Sequence, residues 1–201
     1  MQAIAEVVSS SVTSVVAQSL TRDDELSLSD NRARFGSFVK IASGSDDLEI
    51  FAVIHDVVTG PIDGVHRTSA FGLNREQLRQ EQPQIFALLR TDLHAAIIGY
   101  KQRTKAYQHL PPRPPEVHDF VYVADKKDIE AMTADFEFLR LLAAVPTVPA
   151  DELLAAAVRE AYSAQGQQKT FLIKAGQALS QLFRSDYERL VSVLKKIKPQ
   201  E

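Results

Sequence analysis

The chain contains no cysteine. Disulfides, thiolate metal sites and cysteine nucleophiles are therefore excluded, and the composition fits a reducing compartment. Glycine is sparse, and none of the eight glycines is followed by lysine. The chain thus lacks the Gly-x-x-x-x-Gly-Lys-Ser/Thr loop that cradles phosphates, and it has no Gly-x-Gly-x-x-Gly run either. Its five histidines, His55, His66, His94, His109 and His118, show neither His-x-x-x-His nor His-Glu-x-x-His spacing. No Gly-x-Ser-x-Gly elbow offers a nucleophile. Long apolar runs are missing too: the longest, 136–148, is interrupted by Glu137, Arg140 and Pro146 and is too short to span a bilayer. The first residues carry no basic segment, and Glu6 breaks the apolar stretch, so a signal peptide is not expected and a cytoplasmic location is. Neither sign of charge dominates. A net charge of −3 over 201 residues argues against a general polyanion-coating role.

What is present divides into two kinds of pattern. Residues 2–9 and 11–20 are rich in Val, Ser and Thr and read as a hairpin or bent strand around Ser9-Ser10-Ser11. Phe35, Val39 and Ile41 alternate along one face of a further strand, with a turn at 44–47. Leu48, Ile50, Ala52 and Ile54 line one face of the next, while Phe51 and Val53 fill the other. A strand apolar on both faces is covered on both sides, or belongs to a closed barrel packed against something. After the breaks at Thr59-Gly60-Pro61 and Asp63-Gly64, residues 74–89 turn helical, with Asn74 as N-cap, Leu78 facing inward and a second turn starting at Pro83. Segments 93–105 and 117–124 return to strand character. The total is about six strands, enough for a small closed barrel.

From residue 126 onward the apolar period lengthens to that of helices. Ile129, Met132, Phe136 and Leu139 form one stripe, and a second runs from Leu153 to Tyr162. A third runs from Phe171 to Leu182 and a fourth from Tyr187 to Ile197, the last preceded by a Ser185-x-x-Glu188 capping box. The predicted fold is α+β: an N-terminal small β-barrel with a helical insertion over 1–125, then a C-terminal helical bundle over 126–201. Charge follows these divisions, segments 1–73 and 119–165 being net acidic and 74–118 and 166–201 net basic. Such alternation suits docking between segments or subunits.

The elements Gln82-Pro83-Gln84-Ile85-Phe86, Ile97-Ile98-Gly99-Tyr100 and Pro111-Pro112-Arg113-Pro114-Pro115 follow one another after a β-rich first part. In that order they resemble the closing half of a HAS-barrel, the small barrel shared by HerA-type translocating ATPases and the N-terminal domains of rotary ATP synthase subunits. The resemblance covers roughly residues 2–124 and brings no catalytic residue with it. It implies a stand-alone form without an ATPase domain, the proline run serving as an internal connection. In relatives such barrels collar ATPase rings and present surfaces to partner proteins. The implied function is a non-enzymatic adaptor or assembly module that docks a partner protein through its barrel, an ATPase or its assembly intermediate among the candidates. Self-association through the helices is a further expectation.

Catalytic, cofactor-binding and metal-ligating residues are not expected. Asp23/Asp24 and Asp46/Asp47 read as solvated turn residues. One stretch stands out as a contact surface. On a single strand Lys101, Arg103, Lys105 and Tyr107 would share a face, with Arg113 close by. Spaced cations with an aromatic suit a phosphate backbone and a stacked base, which gives the alternative of a nucleic-acid-associated module working with a HerA-like motor or nuclease. The same lysines equally protect a strand edge or dock a protein. Phe171, Leu182, Phe183 and Tyr187 are a second candidate patch, for a partner helix.

Overall fold

The computed structural model describes residues 2–20, 33–42, 47–62 and 70–197. The predicted loops at 22–25 and 27–31, Asp23, Asp24, Asp46, the 63–64 turn, His66 and Lys198 lie outside the described residues.

Alternation in Val- and Ser-rich sequence gives β1 (Ala5–Ser10) and β2 (Ser14–Ser19). Their connection is held by Ser11, whose hydroxyl accepts the amides of Thr13 and Ser14 at 3.3 and 3.0 Å. β3 (Phe38–Ala42) begins later than predicted, because Gly36 takes φ 89° and leaves Phe35 in an exposed turn. Two 14-residue strands, β4 (Leu48–Pro61) and β5 (Leu89–Gln102), form the longest pairing. β6 (Lys105–Tyr107) and β7 (Phe120–Val123) complete the set. Every pairing is antiparallel. The circuit β1–β2–β5–β4–β3–β7 returns to β1 and closes a six-stranded barrel, while β6 adds to the end of β5.

The continuous strand expected over 93–105 is therefore two strands. Arg103, at φ 57°, opens a two-residue hairpin loop, and positive φ is what such loops require to match strand twist.

Successive side chains on a strand point to opposite faces, and here both faces are apolar. Val39, Ile41, Ile50, Ala52, Ile54 and Ile97 fill the barrel interior with residues of β1, β2 and β7. Phe38, Phe51, Val53, Ala96 and Ile98 point outward into a second core made with the C-terminal helices.

Between β4 and β5 the chain forms α1 (Arg75–Glu81) and α2 (Gln84–Ala87). The predicted Asn74 cap is present as a reciprocal box: Gln77 N donates to Asn74 Oδ1 at 2.8 Å and Asn74 N to Gln77 Oε1 at 3.2 Å. Leu78 is only half-buried. After β7 come α3 (Lys126–Met132), α4 (Phe138–Ala143), α5 (Ala150–Ala164), α6 (Lys169–Leu182) and α7 (Tyr187–Ile197). The first predicted stripe is split into α3 and α4, since Phe136 adopts φ 57° and breaks the helix. α7 is capped by Asp186 rather than Ser185, Asp186 Oδ1 accepting from Arg189 N at 3.0 Å. α5 is the central helix, with Leu153 through Val158 all buried. Arg189–Asp151 at 2.6 Å and Lys196–Glu152 at 2.5 Å fasten α7 along it. Among the described residues no helix is long and apolar enough to cross a membrane.

Gly99 on β5 lies under a close approach of the chain at Tyr107. A Cβ there would lie 2.3 Å from the Tyr107 carbonyl oxygen and 3.2 Å from Met132 Sδ. Gly99→Ala is expected to lower stability by about 1–3 kcal/mol through overpacking. Gly60→Ala, at a position with nothing within 4 Å, should lose much less in the same denaturant titration.

Candidate functional site

The basic stretch does not form one face. Lys101 is half-buried and turned toward α3, its ammonium 2.5 Å from Asp128 Oδ1 and 5.6 Å from the Phe51 ring centre. Lys40 on β3 donates to the other oxygen, Oδ2, at 2.9 Å. Asp128 is only 3 % exposed and lies in the first turn of α3, where its amide donates to the N-cap Asp125 at 2.9 Å. One carboxylate thus clamps β3 and β5 to a helix start, an end of the helix that favours negative charge. Burial by itself would raise the Asp128 carboxyl, but hydrogen bonds and charge from Lys101 and Lys40 outweigh it and hold the group below its ordinary range. Burial likewise pulls Lys40 down, and Asp128, with Glu49 and Asp125, brings it above its ordinary value.

Tyr107 is occupied as well. It stacks on Tyr100 with ring centres 4.9 Å apart, His109 meets it edge-on at 5.5 Å, and the Lys105 ammonium lies 5.0 Å from its ring centre. Arg103 and Lys105 remain exposed at the β5–β6 turn. Arg113 is half-buried, with Nη1 3.5 Å from Glu116 Oε1. It belongs to the proline connection, which is pinned by buried Pro111 and Pro115 and by Ser10 Oγ donating to the Pro115 carbonyl at 2.7 Å. Of the helical patch, Phe171 and Phe183 are buried, Leu182 is half-buried and Tyr187 is exposed.

Two histidines come together that sequence spacing does not pair. A register shift between Ile54 and Asp56 leaves His55 as the extra residue of a β-bulge on β4. Its ring centre lies 6.3 Å from that of His94 on β5. Both line a cleft of about 550 Å³ between the outer barrel wall and the segment joining α4 to α5. His55 is 8 % exposed, and its Nδ1 is buried with no hydrogen-bond partner among the described residues. Burial, reinforced by His94, pushes its pKa down against Asp56 and the residue's own backbone. His118 instead meets Glu6, Nδ1 to Oε1 at 2.5 Å, on the surface. Among the described residues no group of three or more His, Asp or Glu side chains could hold a metal ion.

Asp128 escaped the sequence reading because its partners are distant in the chain. The one available signal was the Asp125-x-x-Asp128 spacing of a capped helix start. No protein-family model matches the chain, and no curated protein matches it in sequence.

Two outcomes follow for stability against pH. Asp128 contributes above the ordinary carboxylate value of 3.8 and loses that contribution as pH falls through its lower folded value. Lys40 contributes below 10.5 and loses it as pH rises through its higher folded value. The clamp is therefore intact across neutrality. Asp128→Ala, which leaves Lys101 without its carboxylate and Lys40 with Glu49 at 3.5 Å, should cost about 3 kcal/mol at neutral pH and progressively less in strong acid, read by urea unfolding. His55 acts in the same direction as Asp128 on the acid side, but at higher pH. Between its depressed folded value and 6.5 the unfolded chain binds the extra proton, so stability falls as pH drops below 6.5. His55→Gln should flatten that part of the stability curve.

Proposed function

We propose that this chain is a non-enzymatic adaptor or assembly module that docks a partner protein through its barrel, in the manner of a HAS-barrel. An ATPase or its assembly intermediate is the partner class that fits that reading. The supporting observation is the outer half of the β4–β5 ribbon. β3 pairs with β4 only over 38–42 against 49–53, and β2 pairs with β5 only over 14–18 against 92–96. Beyond them the ribbon runs on to Pro61 and Leu89 with no third strand among the described residues. Val57, Val58, Ile62 and Leu88 on this extension are 39–59 % exposed. An apolar ribbon with open strand edges is a surface suited to strand addition or an apolar partner face. The helices offer a second contact or a self-association face, with Ile173 62 % exposed on α6 and Leu194 38 % exposed on α7.

The nucleic-acid reading retains Arg103 and Lys105 at the exposed turn. It is the less supported of the two, because Lys101 is engaged by Asp128 and Tyr107 by Tyr100.

Affinity purification from the native cell, with and without nuclease, separates the two. Docking predicts a nuclease-resistant partner that is retained by the parent and lost by Val58→Glu/Leu88→Glu, with the fold preserved by circular dichroism. Recovery of no stable partner, together with a monomer in solution, would refute the adaptor. Nuclease-sensitive recovery that disappears in Arg103→Glu/Lys105→Glu would favour the nucleic-acid module.

A further inference from the structure

We infer that the cleft between the outer barrel wall and the α4–α5 connection binds an uncharged, mainly apolar small molecule bearing a hydroxyl or amide group. This is independent of the docking reading. Its volume of about 550 Å³ suits a small organic ligand, and sites for such ligands combine apolar walls with a few placed polar groups. Val16, Leu141, Val145 and Pro146 contribute apolar wall, and no Lys, Arg, Asp or Glu lines the cleft among the described residues. A charged ligand would enter without a counterion, which is costly in such surroundings.

The polar lining is the histidine pair together with Thr13, Ser14 and Thr147, and of these His55 is the buried one. His55 is more than nine-tenths buried, and Nδ1 of its ring lacks a partner. Buried polar atoms are seldom left unsatisfied in folded proteins, and exceptions call for a cause. The bulge at His55 also costs β4 a regular ladder position, a feature found preferentially near functional sites. A neutral imidazole has one donor and one acceptor nitrogen. A hydroxyl or amide both donates and accepts, so it complements the neutral His55 imidazole in either tautomer. Burial disfavours protonation of His55 and keeps its ring in that neutral form near neutral pH. The facing groups are consistent with this: His94 on β5 and Asp56 on β4 are the charged or titratable neighbours that act on it, and the α4–α5 segment contributes only Leu141, Ala144, Val145, Pro146 and Thr147.

The test uses naphthalenemethanol as the probe and methylnaphthalene as its hydroxyl-free counterpart, on the full chain at neutral pH. The protein has only five histidines, so their ring-proton NMR signals resolve which imidazoles respond. Expected are saturable one-to-one shifts of His55 and His94 with the alcohol, and roughly tenfold weaker binding of the hydrocarbon, the worth of one hydrogen bond. His55→Phe should abolish the preference for the alcohol. Ala144→Phe, at an exposed position on the cleft rim, should block both probes while leaving the barrel core untouched. Absence of saturable shifts at His55 and His94 would overturn the inference. So would equal affinity for the two probes, or binding unchanged by Ala144→Phe.

Discussion

Every residue of β4 from Ile50 to His55 is buried, so this strand has no solvent side, and the architecture follows from that constraint. The inward residues Ile50, Ala52 and Ile54 need a closed barrel around them. The outward residues Phe51 and Val53 need a cover, and α4 and α5 provide it, Phe138 meeting Phe38 edge-on at 5.9 Å. Barrel and helices thus share a core. Removing the helices would leave an apolar wall in water, and opening the barrel would expose the other face of the same strands.

The Asp128 clamp gives this hydrophobic arrangement its register. Apolar contacts are non-directional, so packing alone would let α3 slide over the wall. A carboxylate held between Lys40 and Lys101 fixes α3 against β3 and β5 at one setting. Its net worth is modest while the pair is whole and large when one member is removed. The same contact explains why a basic stripe in the sequence is not a basic face in the molecule.

Much of the fold was legible because its causes are local. Two-sided alternation at 48–54 pointed to a covered barrel strand, and the Asn74 cap and the restart at Pro83 placed two short helices within a residue or two. The misses have non-local or unsignalled causes. Arg103 and Phe136 both adopt left-handed backbone, and neither is the glycine or asparagine that announces such a turn. The Lys40–Asp128 bond joins residues 88 apart in sequence, and no spacing rule reaches that far. His55 and His94 meet because the β4–β5 register sets them on the same face of neighbouring strands, which spacing within one strand does not reveal. Ordinary alternation correctly separated His55 from Asp56 but says nothing about the strand beside it.

The barrel seam carries a consequence for how the chain is made. Ala5 pairs with Val121, so the N-terminal hairpin waits for nearly the whole barrel sequence before its second neighbour exists. Contacts so far apart in sequence slow folding. During synthesis the barrel wall emerges ahead of α4 and α5, and Phe38, Phe51 and Ile98 are uncovered throughout that interval. The vulnerable species is thus a nascent barrel lacking its helices, with an apolar outer surface and open strand edges, and it is at this stage that a chaperone or a co-translational binding partner has most to act on.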